Sequence, residues 1–292
     1  MLTFFATPKA FTGHNEIIQR NAIQSCLQLR PACEVILMGD DHGTAEAARE
    51  FGLRHIPDVA RNQYGTPLVD SIFERAQAAA SYSLLCYINA DIILLSDFLE
   101  AVQRITFQQF LMVGRRWDMD IDQPLDFGSA AWESDLRDRM VEEASHHVRW
   151  CIDYFVFRRG LLGNMPSFAI GRPNWDNWLV YRAMARGGMV VDASQSVTAV
   201  HQNHGYSHVS GGRQVARTGP EAERNRALAD GHVLGLHHAP WRLTPQGLSP
   251  SRNMIASRFP KVWSILYHLQ PRWLAGALYR RARRVFSWVG RR

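Results

Sequence analysis

The sequence predicts an α/β protein built on a mostly parallel sheet with helices on both faces. Over the first 110 residues, short apolar runs alternate with amphipathic stretches, as strand–helix–strand units do. Several of these runs end in polar side chains, which is typical of strands that deliver ligands at one edge of such a sheet. The chain has 292 residues and is 46% hydrophobic, so it can bury a large core without disulfide bonds.

The first half of the chain supplies most of the predicted sheet. An apolar run at residues 2–6 is the first strand, and apolar residues at helical spacing predict a helix over 14–29, which Pro31 stops. The alternation continues with strands at 35–38, 53–57 and 84–88 and helices at 44–51 and 69–80. The polar residues that follow these strands are Thr7, Asp40, Asp41, Asn89 and Asp91.

The second half is less regular. A charged helix is predicted over 135–144 and another helix over 178–187, with strands at 152–157, 189–192 and 197–200. Residues 205–219 are rich in glycine and are expected to form a mobile loop. We expect a main domain over 1–220, a connecting segment over 221–250 and basic amphipathic helices over 251–292.

The positive charge is concentrated at the end of the chain. Of the 33 Lys and Arg residues, ten lie between residues 251 and 292, where there is no Asp or Glu, so the rest of the chain is net negative. This distribution gives little support to a nucleic-acid partner, whose footprint spreads over a folded face. Trp and Leu interleave with the basic residues, as in helices that lie on anionic membranes. Packing on the acidic body, partner binding and homo-oligomer formation remain open.

Other sequence features predict a cytoplasmic protein, peripheral on the inner face of the membrane. The four cysteines form no C-x-x-C pair. The first residues lack the basic segment followed by an apolar segment that is typical of a signal peptide. No stretch reaches the ~18 apolar residues of a membrane span. Motifs of serine hydrolases, zinc proteases, P-loop proteins and dinucleotide-binding proteins are missing from the sequence.

The segment Asn89-Ala90-Asp91 is the strongest candidate for a ligand site. It follows a buried apolar run, and its two oxygen-bearing side chains are spaced i, i+2. Such a pair suits a hard divalent cation that also binds substrate phosphates. The alternative is a turn in which one of the two side chains caps the next helix.

Five segments follow one another along the chain: a paired-aspartate turn, an N-x-D segment, a strand, an acidic helix start and a late histidine. They are residues 35–44, 89–91, 152–159, 174–182 and 199–201. In this order, over about residues 2–205, the chain resembles the GT-A glycosyltransferases, especially the family-2-like branch, in which the second segment is a D-x-D motif and the third lies near the acceptor.

The resemblance implies roles for individual residues. Asp40, with Thr7 and the adjacent Asp41, would contact the base or ribose of a nucleotide-sugar donor. Asp91 and His201 would hold Mn²⁺ or Mg²⁺, whereas Asn89 departs from the first aspartate of D-x-D and leaves one charge missing.

Further implied roles concern the acceptor side of the site. Asp176 matches the carboxylate that acts as general base in inverting members. Asp153 and Arg172 are further candidates for substrate contact, Arg172 through the fork geometry with which guanidinium binds phosphate. Plainer interpretations stay open, since Asp176 could cap a helix, Asp40 and Asp41 could form a turn, and Arg172 could be solvated surface.

The expected function is transfer of a sugar from a nucleotide-diphosphate-sugar to an acceptor hydroxyl, metal-assisted and inverting, in cell-surface polysaccharide or glycan synthesis. The acceptor would be a saccharide or a lipid-linked molecule. Two alternatives compete. A sugar-1-phosphate nucleotidyltransferase should carry a glycine-rich basic loop after the first strand, and residues 7–13 hold one Lys and one Gly. A non-catalytic nucleotide-sugar-binding protein of the same fold would account for Asn89.

Overall fold

The computed structural model describes residues 1–146, 151–205 and 212–251. Its strands, in chain order, are β1 (Thr3–Ala6), β2 (Glu34–Met38), β3 (Arg54–Ile56), β4 (Leu84–Ile88), β5 (Ile92–Leu94), β6 (Phe110–Val113), β7 (Trp117–Met119), β8 (Ser145–His146), β9 (Tyr154–Arg158), β10 (Met189–Asp192), β11 (Ala199–Gln202), β12 (Trp241–Thr244) and β13 (Gly247–Pro250). Its helices are α1 (His14–Gln28), α2 (Thr44–Glu50), α3 (Val69–Ala79), α4 (Asp97–Gln103), α5 (Trp132–Glu143), α6 (Trp175–Ala185), α7 (Gly212–Thr218) and α8 (Pro220–Ala229), with a short 3-10 helix at Leu236–His238.

Nine strands form one large sheet in the order β13-β12-β10-β6-β9-β4-β1-β2-β3. Strand β1 lies between β2 and β4 and is parallel to both, and β6, β10 and β12 are parallel to one another. Strand β9 runs antiparallel between β4 and β6. The mostly parallel sheet predicted from the sequence is confirmed. Because β9 runs the other way, its first residue lies at the edge where β4 ends.

A smaller sheet has the order β5-β11-β7-β8. The chain leaves the large sheet at Ile88 and enters the small one at Ile92, so residues 89–91 connect the two sheets. Strand β5 pairs antiparallel with β11, and Ile92 stands opposite His201. This register brings Asp91 and the end of β11 together.

Helices cover both faces of the large sheet, as predicted. One face packs under α3 and α6, where the rings of Phe5, Phe73, Tyr87 and Phe157 contact one another. The other face packs under α1 and α4 through residues such as Phe4 and Phe98, whose ring centroids are 5.6 Å apart. The apolar strands are buried on both sides, which is why they read as continuous apolar runs rather than alternating ones.

The predictions for residues 205–250 need correction. Within the segment expected to be a loop, residues 212–218 form α7, and the expected connecting segment contains α8, β12 and β13. Strand β12 adds to the large sheet beside β10, so this segment belongs to the same structure.

Two further features concern the membrane expectations. The predicted C-terminal helices fall on residues 252–292, which lie outside the described part of the chain. Among the residues described, no helix combines the length and the apolar character needed to span a bilayer.

Candidate active site

The turn after β4 is tied to the start of β9. The backbone N–H of Asn89 donates to the carbonyl of Asp153 at 2.9 Å, and its side-chain Nδ2 donates to Asp153 Oδ1 at 2.7 Å. The Asn89 Oδ1 accepts the hydroxyl of Tyr87 at 3.1 Å. Both ends of the Asn89 amide are therefore engaged within the protein. Asn89 positions Asp153, whose Oδ2 is buried and has no hydrogen-bond partner among the described residues.

Asp91 lies two residues further on and faces two histidines of the β11 region. Its Oδ2 is 2.9 Å from His204 Nε2, and one ligand atom each of Asp91, His201 and His204 lies within 4.8 Å of the others. We call these three residues the cation cluster. Burial on its own would raise the pKa of Asp91, but the hydrogen bond from His204 and the charges of His201 and Lys9 hold it far below its usual value.

Lys9 reaches the cation cluster from the loop after β1. Its Nζ lies 3.1 Å from His204 Nε2 and 3.8 Å from Asp91 Oδ2. The buried Gln19 of α1 fixes the Lys9 backbone, because its Oε1 accepts the Lys9 N–H at 2.6 Å and its Nε2 donates to the Lys9 carbonyl at 2.9 Å. Burial lowers the pKa of Lys9, and the charge of Asp91 opposes that shift.

A chain of polar contacts links Asp153 to the cation cluster through Arg116. The Arg116 guanidinium donates to Asp153 Oδ1 at 2.8 Å and to Asp118 Oδ1 at 2.9 Å. Asp118 Oδ1 in turn lies 3.1 Å from His201 Nδ1. Burial disfavours the charge on Arg116, but the two carboxylates outweigh it and raise the pKa of Arg116. Arg116 therefore stays charged between Asp153 and Asp118, beside the site.

Gln202 holds the main chain of Asp91 in place. Its backbone N–H and its side-chain Nε2 donate to the Asp91 carbonyl at 3.1 and 3.2 Å, and Nε2 also donates to the carbonyl of Ile18 at 2.7 Å. Asn21 donates to Gln202 Oε1 at 3.0 Å. These buried amides bind α1, β11 and the turn at Asp91 into one rigid unit.

Asp176 lies in the first turn of α6. The N-cap position is Asn174, so Asp176 is not the N-cap, although its carboxylate accepts backbone N–H groups of the first turn. Trp175 packs edge-on against Tyr87 at 5.3 Å, which brings the start of α6 to the edge occupied by Asn89 and Asp153. Burial raises the pKa of Asp176 to about 7, and the charge of Asp153 adds to the shift. Such a carboxyl can accept and release a proton near neutral pH.

The remaining predicted residues lie around Arg61 and Glu221. Arg61 binds both Asp40 and Asp41, with N–O distances of 2.5 and 2.8 Å. The Oγ1 of Thr7 is buried and has no partner among the described residues.

Arg172 is separate from the cation cluster. It donates to Glu221 at 3.0 Å, and Glu221 also accepts from Asn62 at 2.6 Å. The Arg172 guanidinium is thus paired with a carboxylate of α8, which also binds the residue after Arg61.

The cation cluster fits a divalent metal ion. The Oδ1 of Asp91 is buried without a hydrogen-bond partner in the described chain. The Nδ1–H of His204 donates to the carbonyl of Gly205 at 2.7 Å, which turns Nε2 toward the cluster, where it would be the atom that binds a metal ion. A set of imidazole and carboxylate ligands can bind Mn²⁺, and the carboxylate alone can bind Mg²⁺.

Some residues of the site were not selected from the sequence. These are Lys9, His204 and Gln202, although His204 lies in the same His-Gln-Asn-His segment as His201. Spacing within that segment was the only available signal for His204. The contact between Lys9 and His204 joins residues 195 positions apart, which no local pattern reveals.

Comparison with known proteins gives matches among solved structures. No family model and no curated protein sequence matches the chain. Among solved structures, a mannosyltransferase from Pyrobaculum calidifontis in complex with GDP-Man and Mn²⁺ matches with a TM-score of 0.43 and 13% identity, over 68% of this chain and 56% of its own. Glucosyl-3-phosphoglycerate synthase from Mycobacterium tuberculosis matches with 0.47 and 15%, over 78% of each chain. TarS 1-349 from S. aureus in complex with UDP-GlcNAc matches with 0.46 and 11%, over 70% of this chain and 59% of its own.

Proposed function

We propose that this protein transfers a sugar from a nucleotide-diphosphate-sugar to an acceptor hydroxyl, with inversion at the anomeric carbon. The observation that carries the proposal is the pairing of two groups at one edge of the sheet. The cation cluster would bind a divalent ion and the donor's diphosphate. Asp176 has a pKa of about 7 and interacts with the charge of Asp153, which Arg116 and Asp118 link to His201 of the cluster. Transfer to a hydroxyl needs both a charge-neutralising centre for the leaving group and a base for the acceptor.

Asp176 is the proposed general base. Above pH 7 its carboxylate takes the proton of the acceptor hydroxyl as that oxygen attacks the anomeric carbon, and the bond to the diphosphate breaks. A divalent ion held by Asp91, His201 and His204 would neutralise charge on the departing diphosphate.

The donor's nucleoside would bind on the other side of β1. Asp40 and Asp41 converge on Arg61, beside the buried hydroxyl of Thr7. We propose that these groups contact the base or ribose. The unpartnered Oδ2 of Asp153 is a proposed acceptor for a sugar hydroxyl, with Arg116 and Asn89 fixing its other oxygen.

The first experiment measures thermal stability with a panel of nucleoside diphosphates and nucleotide sugars, with and without Mn²⁺. A ligand present at 100 times its dissociation constant adds about 2.7 kcal/mol to the stability of the folded state. We expect one nucleotide to raise the melting temperature, and Mn²⁺ to increase that rise. The absence of any shift with the metal present would contradict the donor site.

The second experiment separates catalysis from binding. Asp176→Asn is expected to lower the transfer rate by about 10²–10⁴-fold while nucleotide binding is kept, because only the base is lost. Asp138→Asn changes an exposed aspartate of α5 and serves as the matched control. A protein that only binds nucleotide sugars would keep its full function in the Asp176→Asn variant.

A nucleotidyltransferase would instead form nucleotide-sugar and pyrophosphate from a sugar phosphate and a nucleoside triphosphate.

We also propose that residues 251–292 contact an anionic membrane surface, which would suit a lipid-linked acceptor in cell-surface glycan synthesis. Support comes from the sequence, in which ten basic residues interleave with Trp and Leu and no acidic residue occurs. Each basic side chain near such a surface contributes about 1 kcal/mol.

A further inference from the structure

The Lys9 ammonium lies among the atoms that would ligate a divalent ion. His204 Nε2 is 3.1 Å from Lys9 Nζ, and Asp91 Oδ2 is 3.8 Å from it. His204 Nε2 and Asp91 Oδ2 lie 2.9 Å from one another, so the ammonium stands beside both atoms of that contact. The Lys9 ammonium is therefore a cation already in place next to two of the three ligand groups.

Lys9 is anchored at its backbone but movable at its tip. The Gln19 amide binds both the backbone N–H and the backbone carbonyl of Lys9, whereas the Lys9 side chain is 29% exposed. A lysine side chain is a compact charge on a flexible four-carbon stem, so the ammonium can move without the backbone. Lys9 is also one of only two lysines among the 33 basic residues, the other being Lys261.

We infer that Lys9 is an exchangeable cation of this site: it fills the cation cluster until a divalent ion enters, and is then released to bind the donor's diphosphate. The diphosphate part rests on the proposed function, whereas the exchange part does not. The ammonium and a divalent ion cannot occupy adjacent positions in a buried site, because their like charges repel strongly at such distances. A phosphate oxygen next to the bound ion is the nearest new partner for a displaced ammonium.

The test compares Mn²⁺ binding, measured by calorimetry, in the full chain and in the variants Lys9→Met, Lys9→Arg and Lys261→Met. Removing the competing charge is expected to tighten Mn²⁺ binding about tenfold in Lys9→Met, equivalent to about 1.4 kcal/mol. Lys9→Arg keeps the charge and Lys261→Met changes the other lysine, so neither is expected to tighten binding. Equal or weaker Mn²⁺ binding by Lys9→Met would overturn the exchange.

The diphosphate part is tested with UDP and GDP at saturating Mn²⁺. Lys9→Met is expected to bind the accepted nucleotide about tenfold more weakly, the opposite sign from its effect on Mn²⁺. A misfolded variant would lose both ligands, so the opposite signs exclude misfolding. Unchanged nucleotide affinity in Lys9→Met would overturn the release to phosphate. Failure of the wild type to bind either nucleotide, with Mn²⁺ binding still tightened in Lys9→Met, would contradict the proposed function and leave the exchange supported.

A direct observation uses the small number of lysines. Protein labelled with ¹³C at the lysine ε-carbon should give two resonances, and Lys261→Arg assigns them by removing one. Saturating Mg²⁺ is expected to shift the Lys9 resonance and leave that of Lys261 in place. An unshifted Lys9 resonance in Mg²⁺-bound protein would overturn the exchange.

Discussion

At the residue scale, the amide at position 89 is explained by its neighbour. Asn89 Nδ2 donates to Asp153 Oδ1 at 2.7 Å, and the same oxygen accepts from Arg116. An aspartate at position 89 would place its carboxylate next to that of Asp153, with only the Arg116 guanidinium between them to offset the repulsion. The carboxylate beside residue 89 is that of Asp153, which directly precedes the neighbouring strand β9.

Asn89→Asp is therefore expected to destabilise the fold by about 1–3 kcal/mol, since it replaces a donor by an acceptor at a partly buried contact. Adding Asp153→Asn should restore most of that loss, because the donor and acceptor are then exchanged. Urea denaturation midpoints measure both effects. The exposed Asn164→Asp is the control and should change stability by less than about 0.5 kcal/mol. Additive losses in the double variant would rule out the direct pairing.

The raised pKa of Asp176 makes stability depend on pH. The folded state holds its proton up to about pH 7, whereas the usual value is 3.8, so its contribution is fully present below pH 3.8 and is lost as the pH rises through 7. Asp176→Asn cannot ionise, and its melting temperature relative to wild type should rise between pH 5 and pH 8.5. Wild-type transfer activity should rise over the same range as the base deprotonates. A pH-independent difference, like that expected for Asp138→Asn, would contradict the assignment.

At the element scale, the strength of the periodic signal decided what could be predicted. Helices α1 and α3 carry apolar residues at helical spacing, and both were predicted to within two residues. Strands β5 and β7 have three residues each, too few to show a period. Helix α7 buries only Ala216, so its sequence resembles that of a loop.

The site shows the same division. Asp91, Asp176 and His201 follow or open predicted elements, so their order along the chain could be recognised. Lys9 and Arg116 enter the site only through tertiary contacts with His204 and Asp153. No sequence period records such contacts, because they depend on how loops from separate elements meet at one edge of the sheet.

The end of β6 tests how tightly the large sheet is packed around β9. A Cβ added at Gly114 would lie 1.9 Å from the hydroxyl oxygen of Tyr154, whose ring is fully buried. Gly114→Ala is expected to lower stability by about 1–3 kcal/mol through overpacking, measured by thermal or urea unfolding. Tyr154→Phe removes that oxygen, which has no hydrogen-bond partner among the described residues, and should recover part of the loss in the double variant. Full stability in Gly114→Ala alone would show that β9 can shift to make room.

At the scale of the whole molecule, charge divides the chain. The net charge of +6 arises from residues 251–292, while the remainder is net negative. Replacing Arg280, Arg281, Arg283 and Arg284 by Gln in the full chain should weaken binding to vesicles that contain anionic lipid, and high salt should weaken wild-type binding in the same way. Vesicle co-sedimentation measures both, with neutral vesicles as the control. Equal binding by the variant would contradict membrane contact through these arginines.

The position of Asp91 between the two sheets has a mechanical consequence. Asp91 and His204 are 113 residues apart in sequence and touch in the folded chain. A divalent ion bound by both would close the segment between them into a loop, a reversible cross-link that holds the start of β5 against the end of β11. Each tenfold rise in free ion above its dissociation constant would add about 1.4 kcal/mol to the cost of unfolding. The ion proposed to neutralise the leaving group would thus also stabilise the folded state.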